Sequence, residues 1–269
     1  MKKILTVVAA AFLIAACAPK TAQRLVILHV NDTHSHLEPE RSGALAGHGG
    51  AVERAAIVDS VRKAAGAENV LLLHAGDFSQ GTSYFTVLEG AVENKIVNAL
   101  GYDCVTLGNH EFDNGIEALC ERLKLMDCEV VCANLDLSPF ELGEYVKPCT
   151  VVEKAGRKIG IIGLEADIST NVSKTISSRI PQLDNVEVTN KWSEYLRGQD
   201  CDLVILLSHI GYREDQALVP QTHGLDLVIG GHSHTKVDGF LEVADADGRQ
   251  VPIITDWCWG YEVGEISVY

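Results

Sequence analysis

Five short motifs of this sequence carry side chains that could bind divalent metal ions. They are Asp32-Thr33-His34, Gly76-Asp77, Gly108-Asn109-His110, Ser208-His209 and Gly231-His232-Ser233-His234. Together they offer carboxylate, amide and imidazole donors without a thiolate, a mixture that suits Zn²⁺, Mn²⁺, Fe²⁺ or a similar ion. Each residue taken alone has an ordinary alternative, because Asn and Asp are common in turns and a single His is usually structural. The repetition of the pattern predicts a metal centre.

The types of donor suggest how two ions could be held together. Asp77 has two carboxylate oxygens and could bridge two ions, while Asn109 adds a neutral oxygen that leaves the positive charge available for a phosphate. His209, His232 and His234 supply imidazoles, and Asp32 with His34 adds a carboxylate and a further imidazole. Asp113 follows His110 by three positions, so it could hydrogen-bond the imidazole and favour its cationic form beside a phosphate.

Each motif follows an apolar run that is typical of a buried strand. These runs cover residues 25–30, 70–75, 104–107, 203–207 and 227–229. Open α/β sheets bind ligands at the carboxyl ends of their strands. We therefore expect the five motifs to converge, and Asp32 and His34 can project to the same side because they are two residues apart in an extended chain.

Between and after these strands, the sequence predicts the helices and strands of an α/β fold. Helices are expected over 51–65, 84–100, from near Gly115, and over 188–196, and further strands over 129–132, 151–153, 158–164, 251–255 and 263–268. Asn114 and Glu117 have the spacing of a capping box. Trp257 and Trp259 lie two apart on an expected strand, so we interpret them as core or domain-contact residues rather than a nucleobase clamp.

Composition favours one α/β domain and excludes one class of partner. The chain has 269 residues, of which 46% are hydrophobic, and its formal charge is −15 from 37 acidic and 22 basic residues. Such a surface opposes binding to a nucleic-acid polymer, which needs a basic face. A small anionic substrate remains compatible, because two divalent ions held by two carboxylates would make the pocket positive.

The amino terminus predicts export. Lys2 and Lys3 precede an apolar run over 4–14 and then Ala15-Ala16-Cys17, which is typical of a signal peptide and too short for a membrane span. The run also resembles a bacterial lipoprotein signal. We expect a signal peptide over 1–16, a tether over 17–24 lipidated at Cys17, and a catalytic domain over 25–269. The alternative is ordinary cleavage with a soluble product; either interpretation places the protein in the periplasm or cell envelope.

Seven cysteines remain after Cys17, an odd number that cannot all pair within one chain. None of them forms a Cys-x-x-Cys pair that would indicate a thiolate zinc site. We expect most to be buried as small apolar residues, and the sequence assigns no disulfide.

The five motifs, in this order, resemble those of the calcineurin-like metallophosphoesterases. The runs Asn31-Asp32-Thr33-His34 and Asn109-His110-Glu111-Phe112-Asp113 resemble more narrowly the branch of 5′-nucleotidases and UDP-sugar hydrolases, and the match extends over 25–269. The resemblance implies a single-domain, four-layer α/β/β/α sandwich with two divalent metal ions.

The resemblance also implies a role for each residue. One ion would be held by Asp32, His34, Asp77 and His234, and the other by Asp77, Asn109, His209 and His232. Asn109 and His110 would contact the substrate phosphate, with Asp113 orienting His110. The implied reaction is two-metal-dependent hydrolysis of phosphate esters by in-line attack of a metal-bound hydroxide, as in a 5′-nucleotidase-like phosphomonoesterase.

Two alternatives depart from a self-sufficient nucleotidase. Periplasmic members of the family carry a carboxyl-terminal domain that supplies substrate specificity, whereas the sequence ends at Tyr269. A separate carboxyl-terminal-domain protein could complete a split nucleotidase, or the chain could be a non-catalytic, lipid-anchored metal- or phosphate-binding module. His110 with Asp113 favours an enzyme. The sequence contains no P-loop, zincin or nucleophile-elbow motif.

Overall fold

The computed structural model describes residues 23–269, so the predicted signal peptide and Cys17 lie outside the described residues. Eleven strands of this part of the chain form two sheets. Their bounds are β1 Leu25–Val30, β2 Val70–His74, β3 Cys104–Thr106, β4 Glu129–Val131, β5 Cys149–Lys154, β6 Arg157–Glu165, β7 Leu203–His209, β8 Leu227–Ile229, β9 Leu241–Ala244, β10 Gln250–Ile254 and β11 Gly264–Val268.

Both sheets have parallel centres, with one antiparallel edge strand in the first sheet and two in the second. The first has the order β11-β1-β2-β3-β4, in which β1 to β4 are parallel and β11 is antiparallel to β1. The second has the order β5-β6-β7-β8-β10-β9, with a parallel run from β6 to β10 and antiparallel strands at both edges. The parallel runs bring the metal-binding motifs to one end of the molecule.

Eight α-helices connect the described strands. They are α1 Ala51–Ala65, α2 Ser83–Leu88, α3 Ala91–Leu100, α4 Ile116–Leu123, α5 Ile168–Asn171, α6 Lys174–Ser177, α7 Asn185–Gly198 and α8 Tyr212–Leu218. None of the helices within 23–269 combines the length and apolar character that a bilayer crossing requires.

Three apolar cores separate four layers. Leu25 and Ile27 of β1 point into a core between the two sheets, whereas Val26 and Leu28 on the opposite face pack with α1, α3 and α4. A third core joins the outer face of the second sheet to α7 and α8. This layering confirms the predicted α/β/β/α sandwich, and it follows from the alternation of side chains across a strand.

The helix expected over 84–100 was wrong as a single element, because the structure divides it into α2 and α3. Glu89 and Gly90 separate them in left-handed conformations, with φ values of 53° and 89°. A side chain at position 90 would collide with Arg122, whose guanidinium donates to Ser79 Oγ and to the Glu111 carbonyl. A tertiary contact therefore breaks a helix that has continuous helical periodicity.

The predicted capping box at Asn114 and Glu117 was also wrong. Helix α4 begins after Gly115, which has φ 94° and provides no side-chain cap. The Glu117 carboxylate instead pairs with Arg179 at 2.8 Å on the surface. The polar segment 168–185, to which the sequence assigned no structure, contains the one-turn helices α5 and α6.

The seven cysteines within 23–269 are all free thiols. Five are buried, as predicted, and only Cys128 and Cys149 are partly accessible. Burial raises the pKa of most of these thiols, to about 11 for Cys149. They therefore act as small apolar side chains at neutral pH.

Candidate two-metal site

The predicted motifs meet where β1, β2, β3, β7 and β8 end. Loops of the first sheet contribute Asp32, His34, Asp77, Asn109 and His110, and the second sheet contributes His209, His232 and His234. Backbone hydrogen bonds lock the first two loops together, from the Asp32 amide to the Gly76 carbonyl and from the His34 amide to the Asp77 carbonyl, each 3.0 Å. Convergence depends on sheet topology rather than on proximity in sequence.

One group of donors, which we name the open cluster, consists of Asp32, His34 and His234. His34 Nε2 lies 2.9 Å from His234 Nε2, and His234 Nε2 lies 3.4 Å from Asp32 Oδ1. The His234 side chain is 37% exposed, while Asp32 is fully buried. The three donors thus surround one small space, which is open to solvent on the side of His234.

A second group, which we name the buried cluster, consists of Asp77, His209 and His232. His209 Nε2 lies 3.1 Å from Asp77 Oδ2, and neither side chain is more than 3% exposed. His209 is the last residue of β7, so the strand itself fixes its position. Its Nδ1 donates to the Ala75 carbonyl at 2.6 Å, which leaves the Nε2 lone pair facing the site.

Asp77 lies between the two clusters. Its Oδ2 is 3.7 Å from His34 Nε2 as well as 3.1 Å from His209 Nε2. Its Oδ1 accepts the His110 amide at 2.9 Å, so the carboxylate is held from the other side by the β3 loop. This geometry suits a bridging ligand.

Unsatisfied polar atoms test whether metal ions fit these clusters. Asn109 Oδ1 is buried and has no hydrogen-bond partner among the described residues. Buried polar atoms are normally paired, and this oxygen is an acceptor that a divalent cation would satisfy. His209 Nε2 lies 3.1 Å from the Asp77 carboxylate without hydrogen-bond geometry, so a cation could bind both groups. The oxygen and nitrogen donor set is the one that Zn²⁺ and Mn²⁺ accept, so the residues fit the expected ions.

Electrostatics keep the central carboxylate ionised. Burial opposes ionisation of Asp77, yet the nearby His209 and His34 imidazoles lower its pKa below the usual value. Burial also lowers the pKa of His34. By contrast, the hydrogen bond to Asp32 raises the pKa of His234 to about 10, and the Asp77 carboxylate raises the pKa of His209 against the effect of burial. Because imidazoles bind metals in the neutral form, a divalent cation would have to displace a proton from each of these two residues.

His110 and Asp113 form a pair at the rim of the open cluster. His110 Nδ1 donates to Asp113 Oδ2 at 2.9 Å, and about a third of each side chain is exposed. The hydrogen bond to Asp113 raises the pKa of His110. The His110 ring lies 5.3 Å from the His34 ring, so its free Nε2 can face a ligand bound at the clusters.

The model of the calcineurin-like phosphoesterase family matches residues 25–236. The chain belongs to the calcineurin-like phosphoesterase family. This family is hydrolytic and uses a dinuclear metal site, with which the two donor clusters are compatible.

Several relatives of this calcineurin-like phosphoesterase are named 5′-nucleotidases. A "Probable 5′-nucleotidase" from Treponema pallidum is 34% identical over 91% of this chain and 44% of its own length. The snake venom 5′-nucleotidase of Naja atra is 33% identical over 91% of this chain and 50% of its own length.

The structure of a 5′-nucleotidase precursor from Thermus thermophilus superposes with a TM-score of 0.83 at 34% identity. The match covers 91% of this chain and 51% of the Thermus chain. The chain spans about half the length of these relatives.

Glu111 holds the motifs of this phosphoesterase together, a role that sequence reasoning missed. Its fully buried carboxylate accepts the amides of Asp77 at 2.9 Å, Ser79 at 3.0 Å and Gly108 at 2.7 Å. Burial and the nearby Asp77 charge raise the pKa of Glu111 to about 7. Its position directly after His110 was the only available signal, because the bonds connect loops distant in sequence.

Asn31 supports the open cluster in a similar way. Its Nδ2 donates to Asp32 Oδ2 at 2.6 Å and to the Trp257 carbonyl at 2.7 Å, while its Oδ1 accepts the Asp256 amide at 2.8 Å. The His232 amide also donates to Asp32 Oδ2, at 2.9 Å. Asp32 therefore cannot rotate without breaking several buried hydrogen bonds.

The expectation that Trp257 and Trp259 lie on a strand was wrong. Strand β10 ends at Ile254, and both tryptophans adopt left-handed conformations in the loop that follows, with φ values of 55° and 58°. Trp259 stacks on His36 with ring centroids 4.6 Å apart. These two stacked residues line a cleft of about 410 Å³ that also contains His110. Alternating aromatic residues imitate a strand pattern, which explains the error.

Proposed function

We propose that this calcineurin-like phosphoesterase hydrolyses phosphate monoesters with two divalent metal ions, Zn²⁺ or Mn²⁺, and that nucleoside 5′-monophosphates are its main substrates. The observation that carries the proposal is the position of Asp77 between two donor clusters. The relatives named 5′-nucleotidases support the choice of substrate. A cleft of about 410 Å³ beside the clusters is in the size range of small-molecule sites.

In this proposal each ion has four protein ligands. The first would be held by Asp32, His34, Asp77 and His234, and the second by Asp77, Asn109, His209 and His232. The unpaired Asn109 Oδ1 and the short distance from His209 Nε2 to Asp77 support the second set. Two close divalent ions lower the pKa of bound water and neutralise charge on phosphoryl oxygens.

The protein's own residues would position the ester and move one proton. Asn109 and His110 face the phosphoryl group, and Asp113 fixes the His110 ring by accepting from Nδ1. As the oxygen of an attacking water bonds to phosphorus and the ester P–O bond breaks, His110 Nε2 donates a proton to the leaving alcohol oxygen. The attacking water gives up one proton to solvent, and His110 regains a proton from solvent before the next turnover. The raised pKa of His110 keeps that proton available.

The test combines metal analysis with a substrate panel. The purified chain is loaded with Mn²⁺ or Zn²⁺ and incubated with AMP, UDP-glucose, a 2′,3′-cyclic nucleotide and 4-nitrophenyl phosphate. We expect two ions per chain and the fastest phosphate release from AMP. Absence of turnover of all four compounds, with two ions bound, would refute the enzyme and favour the binding module. Repeating the panel with a separate carboxyl-terminal-domain protein tests whether such a partner changes the preference.

We further propose that the chain is exported and anchored through lipids on Cys17. The sequence of residues 1–17 supports this, and one relative is named as a precursor. Mass spectrometry of the mature protein from membranes should find Cys17 as the acylated first residue. A soluble mature protein, or a Cys17→Ser variant that remains in the membrane fraction, would contradict it.

A further inference from the structure

His36 and Trp259 stack face to face, and we name this pair the aromatic wall. The two rings are nearly parallel, with an interplanar angle of 7° and centroids 4.6 Å apart. Both residues line the cleft beside His34, His110 and His234, and neither is fully buried. The aromatic wall therefore borders the space next to the phosphoryl site.

The backbone holds Trp259 against the open cluster at a conformational cost. A φ of 58° is unfavourable for a bulky side chain. The Trp259 amide donates to the Asp32 carbonyl at 2.6 Å, and the Trp257 amide donates to the Thr235 carbonyl at 3.1 Å. Such conformations cluster at sites that bind ligands. The backbone of Trp259 is thus hydrogen-bonded to that of Asp32, a proposed metal ligand.

Trp257 offers an internal comparison. It lies in the same loop with nearly the same φ, 55°, and both tryptophan rings contact Tyr261, at 5.2 Å for Trp257 and 5.6 Å for Trp259. Trp257 also lies beneath the Lys236 ammonium, at 5.3 Å. Backbone strain therefore does not by itself indicate which of the two tryptophans binds a ligand. Their difference is that Trp259 faces the cleft with His36.

We propose that the aromatic wall binds a planar ring of the leaving group, which makes Trp259 and His36 specificity-determining residues. The inference rests on the proposed function and deepens it, since it defines the substrates as phosphate monoesters whose alcohol carries a nucleobase or an aryl ring. With the phosphoryl group at the metal clusters, the ring of the same molecule lies in the cleft and stacks against the wall. Stacking on an aromatic side chain is favourable for any planar ring.

A fluorescence titration tests binding without catalysis. Adenosine is added to the metal-free chain, which contains Trp192, Trp257 and Trp259, with ribose as the ring-free control. We expect adenosine, but not ribose, to quench emission, and Trp259→Leu to abolish the quenching. Trp257→Leu is the matched control and should retain it. Equal quenching in both variants would overturn the proposal.

Kinetics provide the second test. For Trp259→Leu we expect KM to rise about tenfold for AMP and 4-nitrophenyl phosphate, while kcat and the KM for glycerol 3-phosphate stay unchanged. Trp259→Phe should restore most of the loss. If the KM for AMP rises more than the KM for 4-nitrophenyl phosphate, the aromatic wall recognises a nucleobase. If the two KM values rise equally, the aromatic wall binds planar rings in general. An equal rise for glycerol 3-phosphate contradicts the proposal, because it indicates displacement of Asp32.

The two proposals can fail separately. If none of the esters is hydrolysed but adenosine quenching depends on Trp259, the phosphatase proposal fails and the ring-binding wall stands. If AMP and glycerol 3-phosphate are hydrolysed with no dependence on Trp259, the wall fails and the phosphatase stands. Melting temperatures of the variants, compared with the unchanged chain, show that each is folded.

Discussion

The open and buried clusters contain similar donors but are held in different ways. In the buried cluster, His209 ends a regular strand and is inaccessible to solvent. In the open cluster, Asp32, His34 and His234 all have positive φ, between 45° and 49°, and His234 is 37% exposed. Asp77 and His232 of the buried cluster share this loop conformation, with φ values of 55° and 71°, so the two clusters differ in the strand that fixes His209 and in the exposure of His234. We expect the open cluster to exchange its ion more readily.

The largest effect should come from Asp77→Asn, which removes the carboxylate that the clusters share. We expect turnover of AMP to fall roughly ten-thousandfold or more, because groups that act as one unit fail together. Metal content should fall from two ions per chain to one or fewer, measured by inductively coupled plasma mass spectrometry. Retention of both ions would show that the two clusters bind their ions independently and do not share Asp77.

His110→Ala separates chemistry from metal binding at the rim of the open cluster. Loss of the proton donor should lower turnover by about a hundredfold to ten-thousandfold, while both ions remain. His223→Ala is a matched control, because His223 pairs with Asp247 in an exposed position. If the chain only binds metal and is not an enzyme, His110→Ala and His223→Ala should have the same effect on its metal binding, and there should be no turnover to lose.

Asn31→Ala should weaken the open cluster selectively. Loss of the hydrogen bond to Asp32 Oδ2 should reduce affinity for one ion by about ten- to a hundredfold, a typical cost for a group that orients a ligand. Titration with a chelator should then show a more weakly held ion beside one of unchanged affinity. A parallel loss of both ions would mean that Asn31 supports the whole site.

Glu111→Gln should have the smallest effect on activity and a measurable effect on stability. Glutamine has the same shape but places an amide donor among three backbone amides. We expect the free energy of unfolding to fall by about 1–3 kcal/mol, seen by chemical denaturation of the metal-free protein. Unchanged stability would show that these bonds do not hold the loops of Asp77 and Asn109 together.

The sequence predicted an α/β fold and ten of the eleven described strands because alternating or continuous apolar runs report burial directly. It missed β9, whose residues are mostly exposed. It identified the donor residues because their chemical types recur after strands, and the family resemblance added the layer order. The resemblance alone supplied the division of ligands between two ions, which remains a proposal.

The errors have a common physical cause. Gly90 breaks a helix because Arg122 needs its space, and Trp259 leaves the extended conformation because its amide binds the Asp32 carbonyl. Glu111 accepts the amides of Asp77 and Ser79 from the loop after β2, which is distant in sequence. Each feature depends on a contact between distant parts of the chain, which local periodicity cannot reveal.

The donors come from both halves of the sandwich, since Asp32, Asp77 and Asn109 follow strands of one sheet and His209 and His232 belong to the other. The hydrogen bond from His209 to Ala75 already spans this seam. Cations bound there would link the two sheets at one end. Metal binding would therefore determine the thermal stability of the enzyme as well as its activity.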